Sequence, residues 1–337
     1  MEDNGMINAA LIGYGYWGPN VAKNLYKNKQ YNLKYICDLR QDRLDFAKGL
    51  YANDVYYTTS FDEVIADDGI DVVCLVIETS AHYSLAKQVI EAGKHLYVEK
   101  PFTDNVNQAI ELKKLAKEKG VIIHVDHIMI YHPAIVKIKE IIDAGDLGEI
   151  IYMDCSRMNL GKVKNDVSAM WDLSVHDLSI IDYLSNGTEV KTVKSMGRVI
   201  YSTKPSVTFI TADYGTFMAN IKANWVSPIK ERKLIIAGTK KMLVYDDVDV
   251  LNKLIVYDKG FDVIKASDPM EWSEFVVKTR SGDAIIPQLE VADALYNSLE
   301  HFRQCIVDKS ESLSGPDAAI RVLKVLEEAD KQMTVLE

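Results

Sequence analysis

At 337 residues the chain has room for two domains, and 48% apolar with 26% charged residues is ordinary globular composition. A net charge of −10, with no lysine- or arginine-rich run, excludes a nucleic-acid groove, which needs a basic face to neutralise phosphates. No run approaches the roughly eighteen apolar residues of a membrane span, and the opening residues lack a signal peptide's basic start. Cys37, Cys74, Cys155 and Cys305 form no C-x-x-C pair, so structural thiols in a reducing cytoplasm are expected.

The chain opens with an apolar run, 9–12, that reads as a buried parallel strand. It leads into Gly13, Gly15 and Gly18 at G-x-G-x-x-G spacing, and 19–26 then looks helical. Gly13 permits a tight turn, Gly15 lets backbone approach a pyrophosphate, and Gly18 lets the helix pack close to the strand. The helix N-terminus offers N–H groups and a positive dipole end to phosphates. Tyr16 and Trp17 lie in the same loop and are candidate cofactor contacts. Asp38 ends a second strand, 33–37, twenty residues past Gly18. Strand, glycine loop, helix and distal acid together make a dinucleotide-binding fingerprint.

Helices at 40–51, 61–66, 84–92 and 105–119 then alternate with strands at 54–57, 71–77, 95–98 and 121–125. Gly93 and Gly120 stand where a helix stop is needed. Continuous apolar strands between amphipathic helices indicate a parallel sheet covered on both faces. Residues 1–125 therefore read as a doubly wound Rossmann domain of the α/β class. Beyond it come a helix at 132–144, a strand at 149–158 and a helix at 173–184. Short strands follow at 193–201, 207–213, 216–225, 233–237, 242–245 and 253–257, then a polar surface excursion at 258–286. Helices 288–308 and 316–328 close the chain and have the option of packing back on the first domain. Residues 126–337 thus read as an α+β domain with a large, mostly antiparallel open sheet, suited to substrate binding and oligomerisation.

Asp38 suits both ribose hydroxyls of NAD and repels a 2′-phosphate, which favours NAD. Arg40 and Arg43 follow closely and leave NADP open; a helix cap is a compatible role for Asp38. Glu99-Lys100-Pro101 follows the strand at 95–98, where open α/β sheets bind ligands, so Lys100 is read as a donor to a substrate hydroxyl. Pro101 restrains Lys100 to extended backbone. Asp172 and His176, four apart near a helix start, share a face. Asp172 fits a capping role, and the dipole there favours the neutral imidazole that a general base needs. A half-buried structural histidine is the alternative. His124, Asp126 and His127 suggest a metal site only superficially, because alternation on a strand turns them to opposite faces; no metal is expected.

Together these residues resemble the glucose–fructose oxidoreductase/inositol dehydrogenase/MocA (Gfo/Idh/MocA) family. The matching pieces are Gly13 to Gly18, Glu99-Lys100-Pro101, Tyr131-His132-Pro133-Ala134 and Asp172-x-x-x-His176. Further landmarks are Asn224-Trp225, Ile236-Ala237-Gly238-Thr239 and Phe302-x-x-Cys305-Ile306. The resemblance implies an NAD(P)-dependent oxidoreductase with Lys100, Asp172 and His176 catalytic. His176 would take the hydroxyl proton, Lys100 polarise the oxygen, and Asp172 orient one of them. The reverse assignment, with Lys100 as base, requires surroundings that favour its neutral amine.

Two stretches depart from the family pattern. Ile77-Glu78-Thr79-Ser80-Ala81-His82 keeps a histidine but lacks the preceding proline, which weakens the assignment of Thr79 and His82 to the cofactor. Asp166-Val-Ser-Ala-Met-Trp171 replaces a glycine-rich lead-in. The block from Arg157 to Asp177 resembles a subgroup of nucleotide-sugar and surface-polysaccharide enzymes. It makes Arg157, Asn159 and Lys162 candidates for substrate carboxylate or phosphate, with surface or dimer-contact roles as the alternative. Tyr131 and His132 are read separately as lining the cleft between domains, and Glu99 as near the cofactor. The implied reaction is hydride transfer at a sugar's secondary alcohol, such as C3 of a UDP-N-acetylaminosugar uronate. A free polyol such as inositol is the alternative substrate, and a non-catalytic NAD-binding regulator the alternative class. A homodimer or homotetramer built on the sheet is expected.

Overall fold

The computed structural model describes residues 6–51, 54–165, 167–264 and 276–336. The chain divides into two compact units. One runs to His132 and takes in Ala292–Lys324; the other comprises Pro133–Val291 and the chain from Val325 onward.

The first unit begins with β1 (Ile7–Ile12), α1 (Gly18–Lys27), β2 (Tyr31–Cys37) and α2 (Gln41–Lys48). It continues with β3 (Tyr56–Thr58), α3 (Phe61–Ala66), β4 (Val72–Leu75) and α4 (Thr79–Glu91), then β5 (His95–Val98), α5 (Val106–Lys119) and β6 (Ile123–Val125). The strands form an all-parallel sheet in the order β3-β2-β1-β4-β5-β6. Every residue of β4 is sealed from solvent, as a strand covered on both faces must be. Helix α5 starts at Asn105, whose side chain accepts from Gln108 N–H, and stops where Gly120 turns to φ +68°. The reversal of strand order beside β1 creates a crevice beyond the carboxyl ends of the strands, where ligands bind in such sheets.

The second unit holds α6 (Pro133–Asp143), β7 (Ile150–Leu160) and a π-helical turn, Met170–Ser174, that runs on into α7 (Val175–Leu184). Then come β8 (Thr192–Val199), β9 (Pro205–Asp213), β10 (Met218–Asn224), β11 (Val226–Gly238), β12 (Met242–Asp246), β13 (Leu254–Ile264) and β14 (Val276–Ile285). Helices α8 (Ala294–Asp308) and α9 (Pro316–Gln332) precede a final strand, β15 (Met333–Leu336). The sheet runs β14-β13-β12-β11-β7-β10-β9-β8-β15, parallel at β10–β7 and β15–β8 and otherwise antiparallel. Its inner face, with Met153, Cys155, Ile210, Ile221 and Ile236, is buried. The opposite face exposes Tyr152, Phe209 and Met218 around an Asp154–Lys222 ion pair of 3.0 Å.

Helix α8 belongs to the first unit, where Leu295, Leu299 and Phe302 join a core with Leu25, Tyr31 and Tyr97. Three sequence expectations change. The polar excursion at 258–286 is mainly the β13–β14 hairpin, with Phe261 opposite Thr279 and Arg280 bonded to Asp258 and Asp262; residues 265–275 lie outside the described residues. Charged side chains on an edge strand blunt self-pairing and also hide its β pattern. Helix α8 begins at Ala294 rather than 288, capped by Asp293 accepting from Leu295 N–H at 2.9 Å. The chain also gains β15 beyond α9. No helix among the described residues is long and apolar enough to cross a membrane.

Candidate active site

The loop after β1 is shaped by two glycines that tolerate no side chain and one that faces open space. Gly13 adopts φ +97°, and a Cβ there would lie 2.1 Å from Val76 O. A Cβ on Gly18 would lie 2.2 Å from Gly13 O, so α1 packs directly on the turn. A Cβ on Gly15 would meet nothing within 4 Å. The first turn of α1 has no side-chain cap, Pro19 has no N–H and Asn20 N–H donates to Trp17 O at 2.9 Å, so the positive dipole end is what the helix start offers an anion. Asp38 closes the loop from the end of β2: Oδ2 accepts Tyr14 N–H at 2.6 Å and Oδ1 accepts Arg40 N–H at 2.8 Å. The Arg40 guanidinium turns to Asp42 at 2.5 Å. Tyr16 is exposed, whereas Trp17 donates its indole N–H to Asp126 Oδ2 at 3.3 Å. An open Gly15 wall, an uncapped helix start and a carboxylate at β2 fit a dinucleotide's pyrophosphate and ribose.

Glu99, Lys100 and Pro101 follow β5 on the other half of the crevice. Glu99 Oε2 accepts Lys100 N–H at 3.2 Å, while its Oε1 is shut off from solvent. His82 in α4, with Thr79 at the helix start, was a candidate cofactor contact. Its ring is fully buried, and its nitrogens lie 2.9 Å from Pro101 O and 3.2 Å from Ile77 O. Both nitrogens thus face protein carbonyls, and His82 braces the Lys100–Pro101 turn from behind. Tyr131 is also buried, its hydroxyl 3.1 Å from Ser314 Oγ. His124 is flanked by Ser312 and Ser298 at 2.9 Å each, and Asp126 turns to Trp17. Among the described residues no group of three or more His, Cys, Asp or Glu side chains is arranged to hold a metal ion.

In the second unit Asp172 lies in the π turn at the head of α7, and His176 lies in the first turn of α7 itself. Such turns recur at functional sites. Asp172 Oδ1 accepts from Lys164 Nζ at 2.8 Å and Oδ2 from Trp225 Nε1 at 3.3 Å. Trp225 is 2% exposed in a small core with Ala169, Leu173 and Ala223. No sequence spacing singles out Lys164, and Trp225 is in sequence only a family landmark, because their separations from Asp172 carry no periodic signal. Arg157, on the inner face of β7, is buried and grips Asp177 through Nε at 3.1 Å and Nη2 at 2.8 Å. That pair ties the sheet to α7 beside His176. Asn159 is half-buried near the end of β7, and Lys162 is exposed beyond it.

Two family profiles match this chain: "Oxidoreductase family, NAD-binding Rossmann fold" over residues 7–127, and "GFO/IDH/MocA C-terminal domain" over 135–244. The chain belongs to the Gfo/Idh/MocA family. It is similar to scyllo-inositol 2-dehydrogenase (NAD(+)) of Bacillus subtilis, 26% identical over 94% of this chain and 91% of that one. It is also similar to UDP-N-acetylglucosamine 3-dehydrogenase of Acidithiobacillus ferrooxidans, 30% identical over 60% of this chain and 62% of the other. The solved structure of that organism's enzyme superposes with a TM-score of 0.79 at 24% identity, covering 97% and 98% of the two chains. As a Gfo/Idh/MocA protein the chain is an NAD(P)-dependent oxidoreductase, and the cradle from Gly13 to Asp38 is the part of it suited to the cofactor.

Proposed function

We propose that this oxidoreductase acts on one secondary alcohol or ketone of a nucleotide-linked sugar, such as C3 of a UDP-N-acetylaminosugar uronate, in surface polysaccharide synthesis in the cytoplasm. The observation that carries the catalytic part is the Asp172 carboxylate pinned by Lys164 and Trp225 one turn from His176. A fixed carboxylate orients a nearby histidine for proton transfer. In this reading His176 takes the hydroxyl proton, Lys100 donates a hydrogen bond to the same oxygen, and Asp172 orients the imidazole. The nicotinamide supplies the hydride acceptor when bound. Gly13, Gly15, Gly18 and the α1 start hold the pyrophosphate, and Asp38 holds the adenosine ribose, with NAD preferred because Arg40 is turned to Asp42. The likeness to a UDP-N-acetylglucosamine 3-dehydrogenase supports the nucleotide-sugar class. The likeness to an inositol dehydrogenase along nearly the whole chain favours a second reading, a free polyol substrate. Tyr152, Phe209 and Met218 on the open sheet face support self-association as a dimer or tetramer.

The test is a thermal-shift screen with NAD(H) and NADP(H), alone and with UDP-, dTDP- and GDP-sugars, hexoses and inositol, followed by NADH absorbance assays. Stabilisation by NAD(H) that grows with one nucleotide sugar, and turnover of that sugar, is the expected result. Turnover of inositol or a free sugar instead would replace the first reading with the second.

A further inference from the structure

Two carboxyls lie side by side beneath the crevice, and the reaction scheme above uses neither. Glu99 follows β5 and Asp126 follows β6, neighbouring parallel strands, and Asp126 N–H donates to Val98 O at 2.8 Å. One oxygen of each is committed: Glu99 Oε2 to Lys100 N–H, and Asp126 Oδ2 to the Trp17 indole. The other two, Glu99 Oε1 and Asp126 Oδ1, are sealed from solvent, and among the described residues neither has a formed hydrogen bond, although the buried Tyr97 hydroxyl stands beside Asp126. Yet the two side chains lie within hydrogen-bonding reach of each other. Two ionised carboxylates in that arrangement would repel each other and leave Glu99 Oε1 a buried acceptor with no donor. A proton between the two oxygens satisfies both.

We propose that Glu99 and Asp126 share a single proton, carry one negative charge between them, and act as a positioning pair whose charge faces the Lys100 ammonium. The assignment of Lys100 to the reaction rests on the functional reading above; the shared proton does not. The neighbours leave the charge balance simple. Cys74 and Tyr97 are kept neutral by burial, which pushes both well up. His124 and His127 are neutral too, since burial lowers both, His127 to about 4 with Lys100 adding to the effect. Lys100 is a cation whose charge acts on both carboxyls, and one negative charge on the pair balances it. Burial also raises both carboxyls, Glu99 further because the Asp126 charge stands beside it. The pair therefore titrates as a unit.

Infrared difference spectra of the full-length protein at neutral pH test the shared proton. Wild type should show the C=O stretch of a protonated carboxyl, and Glu99→Gln or Asp126→Asn should each abolish it, because the remaining carboxyl then ionises. Should Asp126→Asn fail to fold, Glu99→Gln carries the assignment. A second readout is stability against pH. The folded pair keeps a proton that the unfolded chain releases near pH 4 to 5. Wild type should therefore lose stability relative to Glu99→Gln as pH rises above that range, by about tenfold in the unfolding constant per pH unit. Labelling of Lys100 by an amine-reactive anhydride, read by peptide mass spectrometry, tests the counter-charge. The double variant Glu99→Gln/Asp126→Asn should label about tenfold faster than either single variant, since the pair's negative charge no longer favours the ammonium. A wild type without the band, or a band that survives both substitutions, overturns the shared proton. Equal labelling of the double and single variants overturns the positioning role. None of these readouts uses a sugar, so a failure to find sugar oxidation would defeat the functional reading alone.

Discussion

Around Gly13 the backbone shapes the site: a turn at φ +97°, a helix packed against Gly13 O, and a carboxylate reaching back to Tyr14 N–H within one strand–helix–strand unit. Around Asp172 side chains from distant positions shape it, with Lys164 arriving from the segment after β7 and Trp225 from the end of β10. The first arrangement depends on what is absent at two positions, since any Cβ at Gly13 or Gly18 collides with the chain. The second depends on charge and ring N–H groups that other residues replace in part. The two regions should therefore fail in different ways when altered.

The largest effect expected is on turnover. His176→Ala should lower kcat about 100- to 10,000-fold while leaving the unfolding midpoint and NAD binding near wild type, measured on whichever sugar the screen identifies. Equal loss of NAD binding would blur the distinction between the regions. Next comes the cradle. Gly13→Ala should cost roughly 3 kcal/mol of stability in denaturant titrations, combining positive φ with overlap on Val76 O. Gly15→Ala, with open space around it, should leave stability unchanged and weaken NAD binding only.

Acid should separate the units further. Burial holds His127 at about 4, against about 6.5 for an unfolded histidine. The unfolded chain thus takes up a proton that the folded chain refuses, so stability present above pH 6.5 is lost as pH falls toward 4, by about 3 kcal/mol. His127→Gln should flatten that loss, and hydrogen exchange at pH 5 should show β5 and β6 opening before β10. The smallest effects belong to the Asp172 supports. Trp225→Phe removes one hydrogen bond and should cost about 1 kcal/mol. Lys164→Met, breaking a half-exposed pair, should stay below about 1 kcal/mol and slow kcat by less than about tenfold. A larger kcat loss for Lys164→Met than for His176→Ala would reverse the reading of this region.

The strand–helix alternation of residues 7–125 and the tight packing at Gly13 and Gly18 are legible in sequence because they rest on local spacing. So is the head of α7, although the π turn starts three residues before the helix that the pattern suggests, at Met170. The β13–β14 hairpin is not legible, because edge strands carry the charges of a loop. His82, Tyr131 and Arg157 are chemically apt residues whose burial turns them toward Pro101, Ser314 and Asp177. Burial is a property of the packed molecule, and residue type alone does not announce it.

By itself the sequence determined the parallel sheet and the dinucleotide loop, while the candidate trio Lys100, Asp172 and His176 rests on the resemblance to the family. The sheet and the loop are written in residue types at short spacings, and local sterics and periodicity act over those distances. Only the tertiary structure decided that Lys164 and Trp225 hold Asp172, that Arg157 is joined to Asp177, and that Glu99 and Asp126 become neighbours. Those contacts follow from strand order and sheet register, which bring together residues between 8 and 53 positions apart in the chain.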